Sequence, residues 1–399
     1  GSTGNPKAVI NTQRMLCSNQ AMILSSFPYF ADEPPVLLDW SPWNHTAGGN
    51  HNVGLVLYNG GSFYIDDGKP MPGGIEATVR NLRDVAPNWY FNVPKGYDAL
   101  IPHLRADRAL REKFFSNLKI LFVAGAGLAQ HQLKAMQDLA VETRGERVLF
   151  SAGLGSTETG PFAMVLLWHE ERPGNVGVPG EGVELKLVPN EGKRELRIKS
   201  PSVTPGYWRA PELTAKAFDE EGFYKMGDAL QFADPNDAGK GFWFDGRVTE
   251  DFKLDTGTWV SVGPLRAKFI DHFAPYVKDV VIAGLDRGAI GVLVFPDLEH
   301  CRTLAALPAQ ASVQQVVHDP KVRRRMQALL RSLAQAATGS SNWVARAMLL
   351  TEPPSMDTGE MTDKGSINQR AALKNRAALV EALYANPLPP DVIAIDGKN

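Results

Sequence analysis

Between residues 7 and 124, short apolar runs alternate with amphipathic stretches, and this alternation constrains the fold more than any other feature of the sequence. The runs Val36-Leu37-Leu38-Asp39-Trp40, Trp89-Tyr90-Phe91-Asn92-Val93 and Ile120-Leu121-Phe122-Val123-Ala124 have strand length. An amphipathic stretch over 97–115 precedes the last run, and another over 130–144 follows it. Brief apolar runs between amphipathic helices predict a largely parallel sheet covered on both faces. Ligands of such folds gather where loops leave the carboxyl ends of the strands. The loops after these runs are therefore the places to search.

From about residue 174 to 243 the pattern changes to shorter strands separated by Gly/Pro turns, such as Val183-Glu184-Leu185-Lys186-Leu187-Val188 and Glu195-Leu196-Arg197-Ile198. Strict alternation there predicts antiparallel strands with one wet face. After Asp245-Gly246-Arg247 a new small α/β unit begins, with strand-like runs at 280–283 and 291–295 and a basic amphipathic helix over 322–337. The Arg323-Arg324-Arg325 run reads as a solvated helix face. The fold class is thus α/β, with a large N-terminal domain of mixed or parallel sheets plus a small β subdomain, and then a small α/β C-terminal domain. The expected domains are 1–245 and 246–399.

A chain of 399 residues with a 44% hydrophobic and 22% charged content can bury a large core. Its net charge of −2 makes no electrostatic case for nucleic acid or an anionic membrane. The cysteines are Cys17 and Cys301, far apart, which supports neither a disulfide framework nor a cysteine metal site. No apolar run approaches the roughly 18 residues of a membrane span. A reducing, cytoplasmic setting is the expectation.

Several segments carry groups suited to chemistry. Gly1-Ser2-Thr3-Gly4-Asn5-Pro6-Lys7 offers backbone N–H groups, hydroxyls and an ammonium, all donors to phosphate oxygens. Its spacing departs from the P-loop pattern, and a linker reading is equally open for this segment alone. In Ala152-Gly153-Leu154-Gly155-Ser156-Thr157-Glu158-Thr159-Gly160 a glutamate sits among donors. It suits Mg²⁺, which prefers a carboxylate plus substrate phosphate oxygens. The plainer reading, of equal weight, is a polar turn between strand and helix with Thr157 or Thr159 as N-cap. In Tyr224-Lys225-Met226-Gly227-Asp228 the aspartate follows a glycine that permits close backbone approach. It suits a ribose, although a turn aspartate is the plainer reading. Gly246-Arg247 opens a segment dense in charge and glycine, and Lys364 lies in a polar loop where a lysine is usually just solvated.

In this order the segments resemble the adenylate-forming superfamily of acyl- and aryl-CoA ligases, peptide adenylation domains and luciferases. The match spans nearly the whole chain: Ser2-Thr3-Gly4-Asn5-Pro6-Lys7, Gly155-Ser156-Thr157-Glu158 with Leu154 in place of an aromatic, Gly227-Asp228, Gly246-Arg247 and Lys364. Asn44-His45 looks like the family's histidine segment near the acyl site, and Gly125-Ala126-Gly127-Leu128 like its adenine-contacting turn. Finer text, including Trp43-Asn44-His45-Thr46, Tyr64-Ile65-Asp66-Asp67-Gly68-Lys69-Pro70 and Gly257-Thr258-Trp259-Val260, is most similar to feruloyl-CoA synthase.

The resemblance implies ATP, Mg²⁺ and coenzyme A as co-substrates and an aromatic carboxylic acid as acyl donor. It implies pyrophosphate cradling by Ser2, Thr3, Gly4 and Lys7, and metal and phosphate positioning by Thr157 and Glu158. Asp228 and Arg247 are to hold the ribose, and Lys364 is to bridge carboxylate and α-phosphate. A mobile C-terminal domain is to swing about 246–251, where Thr249 replaces the family's charged residue and Glu250 or Asp251 takes its place. That swing brings the segment containing Lys253 and Gly257 to the site for thioester formation. For His45, backbone satisfaction and a gating role weigh equally. The start at Gly1, without Met or a preceding strand, reads as an adenylation domain truncated at its beginning. Competing expectations are a fatty acyl-CoA ligase, the adenylating part of a carboxylic acid reductase, which the lack of a following carrier domain disfavours, and a noncatalytic nucleotide-binding fragment. Trp40, Trp43, Trp89 and Phe91 are expected in the core more than in an aromatic pocket.

Overall fold

The computed structural model describes residues 7–71, 73–125, 127–190, 192–248, 250–361 and 367–395. The chain divides into two compact units, the first running to Phe244 and the second beginning at Asp245.

In the first unit, β1 (Val36–Asp39) and β2 (Ser62–Ile65) pair in parallel. The central sheet has the order β3 (Trp89–Asn92), β4 (Ile120–Val123), β5 (Leu149–Ser156), β6 (Gly160–Val165), β7 (Val178–Pro179). β3, β4 and β5 are parallel, whereas β5–β6 and β6–β7 are antiparallel. The expectation of a largely parallel sheet thus holds for one half only. Residues 157–159 reverse the chain into β6, so the strand-to-helix turn expected there is a hairpin. Alternation along the strands splits the core. Tyr90, Leu121 and Phe150 face helices Pro94–Ala106, Arg108–Ser116 and Gln130–Arg144, while Trp89, Phe91 and Phe122 face helix Gln13–Ser26. The stretch 97–115 contains a break: Asp107 accepts from the Leu110 N–H at 3.0 Å and so caps a second helix.

The β subdomain pairs β8 (Glu184–Asn190), β9 (Lys193–Lys199) and β10 (Tyr224–Phe232) antiparallel, with β11 (Phe242–Arg247) beside β10. Leu196, Ile198, Tyr224, Met226 and Leu230 form its apolar face. β10 carries a register shift between Lys225 and Ala229. Gly227 sits there at φ +73°, a left-handed conformation that a glycine enters without penalty.

In the second unit, β12 (Phe252–Lys253) and β13 (Trp259–Val260) make a hairpin, followed by helix Val262–Phe273. A four-stranded sheet has the order β14 (Val277–Ala283), β15 (Ile290–Pro296), β16 (Val344–Leu349), β17 (Val392–Ala394). Helix Pro320–Gln335 buries Val322, Met326, Leu330 and Leu333 against one face and leaves Arg324 and Arg325 exposed. No helix among the described residues is long and apolar enough to cross a membrane.

Candidate active site

Residues 8–10 lie as a short added strand against the 204–208 segment. Ile10 N donates to Gly206 O at 3.1 Å, Trp208 N donates to Ala8 O at 2.8 Å, and Val9 bridges Tyr207. Gly206 is obligatory: its φ is +145°, and a Cβ there would stand 2.4 Å from Thr214 Cγ2. This pairing sets the Lys7 ammonium 5.0 Å from the centroid of the Tyr207 ring, within cation–π range.

Tyr207 reaches the hairpin on its other side. Its hydroxyl donates to Glu158 Oε1 at 2.9 Å and lies 3.3 Å from the Tyr224 hydroxyl. Burial, reinforced by the Glu158 charge, pushes the Tyr207 phenol up to about 12. Tyr224 moves in the same direction for the same reasons. Both phenols therefore stay protonated near neutral pH. The hairpin tip is held from behind: Thr204 N donates to Glu158 O at 2.7 Å and Ser202 Oγ to Thr159 O at 2.7 Å. Thr159, wholly buried, accepts from Ser156 N at 2.9 Å. Gly155 is needed because a Cβ would meet Pro161 O at 2.4 Å across the hairpin. Lys7 and Glu158, remote in sequence, thus meet on one tyrosine.

The other expected residues separate by unit. Gly125, at φ +85°, and Gly127 are exposed in the loop after β4, which leaves the carboxyl end of the parallel strands. His45 Nδ1 accepts from the Ala47 N–H at 3.1 Å, which leaves the ring proton on Nε2. Asp228 is buried at the β10 bulge, within a strand and not in the turn that the plainer reading expected. Trp89 and Phe91 are core residues, whereas Trp43 is 56% exposed. In the second unit Arg247 ends β11, the Lys253 ammonium lies 5.1 Å from the Trp259 ring centroid, and Gly257 makes the β12–β13 turn at φ +79°. Burial pushes the Glu250 carboxyl up against the pull of Arg247, Arg266 and Arg370. Ser2, Thr3, Gly4, Ala126, Thr249 and Lys364 lie outside the described residues.

No cluster of three or more His, Cys, Asp or Glu side chains capable of holding a metal occurs among the described residues. The Glu158 carboxylate fits a cation held chiefly by phosphate oxygens.

The AMP-binding enzyme family model matches residues 1–208, and its C-terminal domain model matches residues 254–387. The chain belongs to the AMP-binding enzyme family. It is 24% identical to a carboxylic acid reductase of Segniliparus rugosus over 96% of its own length and 32% of the reductase. It is 25% identical to an anthranilate–CoA ligase of Pseudomonas aeruginosa over 71% of its length and 51% of that ligase. The chain therefore spans about a third of the reductase and half of the ligase. Among solved structures, the adenylation domain of the Segniliparus rugosus reductase, with AMP and a co-purified carboxylic acid, superposes with TM-score 0.70 at 20% identity, covering 97% of this chain and 61% of that one. An anthranilate CoA ligase in complex with anthranoyl-AMP gives TM-score 0.68 at 21% identity, covering 96% and 66%.

In this AMP-binding enzyme, Tyr207 lies outside every motif singled out in the sequence. Tyr207 had one local signal, an aromatic directly after Pro205-Gly206 in a turn.

Proposed function

We propose that this chain is the adenylate-forming part of an AMP-forming acid–thiol ligase that acts on an aromatic carboxylic acid, a hydroxycinnamate such as ferulate. The observation that carries the reading is the meeting of Lys7 and Glu158 on Tyr207. A substrate carboxylate and a polyphosphate are both anions, so their reaction needs prearranged positive charge and donors. Lys7 supplies charge where pyrophosphate develops. Mg²⁺, when bound with ATP, would further neutralise the phosphates, and Glu158 and Thr157 are the residues that would hold it. Tyr207 fixes the Glu158 carboxylate and leaves the family's remaining roles to Asp228, Arg247 and Lys364. The carboxylate oxygen attacks the α-phosphorus and pyrophosphate departs; the thiol of coenzyme A then attacks the acyl carbon and AMP departs. The wording of 43–46, 64–70 and 257–260 supports the feruloyl-CoA synthase subfamily, and the similarity to an anthranilate–CoA ligase supports an aromatic acid.

A second reading, the adenylating part of a carboxylic acid reductase, is favoured by the 96% coverage of this chain in that match. The thiol acceptor discriminates the two. AMP release is to be measured with ATP, a panel of acids, and either coenzyme A or a phosphopantetheinyl carrier protein. Ferulate with coenzyme A is expected to support AMP formation, and Lys364→Ala to lower it about 10²-fold or more. Turnover with the carrier alone selects the reductase reading. No AMP with any acid, together with no effect of Lys364→Ala, sinks the ligase.

A further inference from the structure

Helix Pro320–Gln335 carries five cations and no carboxylate. The whole stretch 320–351 lacks an acidic residue, although Asp and Glu (44) outnumber Lys and Arg (42) in the chain. Arg323 is engaged within the fold, donating to Pro390 O at 2.6 Å and to Asp391 O at 3.2 Å. Lys321, Arg324, Arg325 and Arg331 are exposed. At 3.6 residues per turn these four fall within about a third of the helix circumference and along roughly 15 Å of its length. Ala328, Ser332 and Gln335 are exposed on the same face, and Val322, Met326, Leu330 and Leu333 are buried on the opposite one.

Two observations separate this stripe from an ordinary solvated face. The first is pairing. Helices of the first unit neutralise their surface cations: Lys134 meets Asp138 at 2.7 Å, Arg108 meets Glu112 at 2.8 Å and Arg111 meets Glu142 at 2.9 Å. Among the described residues, none of the four stripe cations forms an ion pair. Lys321 reaches the Ala305 carbonyl at 3.4 Å, and the Arg325 guanidinium lies 5.4 Å from the Tyr276 ring centroid. Asp319, directly before the helix, is committed to its cap, where it accepts from the Lys321 N–H at 2.8 Å and the Val322 N–H at 3.3 Å.

The second observation is position. The N-terminal end of a helix is the positive end of its dipole, where cations are unfavourable. Lys321 and Arg323 stand in the first turn and Arg324 and Arg325 in the second, while the last turn holds no cation. Charges that served solubility alone would stabilise the helix more from its other end. The helix gives up stability to hold them where they are.

The arrangement selects the partner. The cations lie along a line and do not converge on a point, so no small anion meets all four. No large apolar side chain lies in the stripe, so nothing is available to enter a membrane. A net charge of −2 gives a nucleic acid no wider basic surface to follow. A second helix does match, because carboxylates three and four residues apart repeat at the spacing of Lys321, Arg324 and Arg325. The small side chains of Ala328 and Ser332 let it lie close.

We propose that the exposed face of helix Pro320–Gln335 is a docking surface for an acidic α-helix of another protein. The inference goes beyond the ligase reading and is independent of the acid used.

The test measures binding of the whole chain to an Ala-based helical peptide of about 20 residues with Glu at every third or fourth position. The same peptide with Gln, a thymidine oligonucleotide and phosphatidylserine vesicles are compared with it, all at about 0.05 M salt, where exposed charges are little screened. The Glu peptide is expected to bind and the Gln peptide not. Arg324→Gln/Arg331→Gln is expected to weaken binding roughly 5–10-fold. Removing the same charge at two other exposed positions, by Arg105→Gln/Lys216→Gln, is expected to change it by less than about twofold. Glutamine suits an exposed helix position, so the melting temperature of Arg324→Gln/Arg331→Gln should be unchanged or higher. Equal weakening by the two double variants means that net charge alone draws the peptide, and overturns the assignment. Tighter binding of the vesicles or the oligonucleotide than of the peptide overturns it in favour of a membrane or a nucleic acid, and no binding of the Glu peptide overturns it outright. A lower melting temperature in Arg324→Gln/Arg331→Gln means that the charges serve the helix itself, and overturns it as well.

Discussion

Tyr207 joins two charged groups that the sequence sets far apart, and its hydroxyl is the part that can be removed alone. Tyr207→Phe keeps the ring beneath Lys7 but takes the donor from Glu158, at 2.9 Å. A hydrogen bond to a charged group contributes about 1.5–3 kcal/mol, so adenylation measured by pyrophosphate exchange is expected to fall roughly 10–100-fold. The Mg²⁺ concentration for half-maximal rate should rise with it, which a loss of packing alone would not produce. Because the Tyr207 phenol is pushed up to about 12, the unsubstituted chain should show no pH step from this residue between pH 6 and 9. The glycines beside the site separate cleanly. At Gly227 a Cβ meets nothing within 4 Å, so Gly227→Ala costs only the left-handed backbone, about 1–2 kcal/mol. At Gly155 a Cβ strikes the Pro161 carbonyl at 2.4 Å, so Gly155→Ala must part β5 from β6 and move Glu158. Equilibrium denaturation combined with exchange activity checks the pair: both lose stability, and Gly155→Ala loses disproportionately more activity.

At the scale of elements, a buried ion pair joins helix Gln369–Asn375 at its end to the segment that precedes Met361. Arg376 Nε and Nη2 grip the Glu360 carboxylate at 2.9 and 2.7 Å, and Met361 makes an antiparallel bridge with Ile367. Burial pushes the Glu360 carboxyl up, but its hydrogen bonds from Arg376 and Ser355 outweigh that and hold it below the ordinary glutamate value. A carboxyl depressed on folding contributes stability that is fully present above its unfolded pKa, near 4.3. That contribution is lost as pH falls through the folded value. Arg376→Met leaves Glu360 buried without its partner and is expected to cost about 3–5 kcal/mol at neutral pH. The deficit should shrink in denaturation curves below pH 4. A constant deficit from pH 7 to 3 would mean that the pair contributes through packing alone.

For the whole molecule, the apolar layers divide with the units. Phe269, Val280, Val292 and Leu330 belong to one core and Trp89, Phe122 and Phe162 to another. Separate cores unfold as separate cooperative units, so calorimetry is expected to show more than one transition and limited proteolysis to cut near 244–250. Single coincident transitions by calorimetry and by tryptophan fluorescence would refute this.

Much of the architecture was legible because it rests on local periodicity. The runs that begin at Trp89 and Ile120 end within a residue or two of their strands, and helix Gln130–Arg144 coincides with its amphipathic stretch. Local patterns also set the order of the chemically distinctive segments and with it the family. The sequence alone could not decide whether 155–160 started a helix or reversed into a strand, because Gly-Ser-Thr-Glu-Thr-Gly suits either local geometry. Packing against Ser202 and Thr204 decided it. Nor could local pattern join Lys7, Glu158 and Tyr207, or surround His51 with rings, since such contacts arise from residues distant in the chain. Periodicity is a property of neighbours and is written in the sequence, whereas a site is a set of non-neighbours and exists only once the strands are paired.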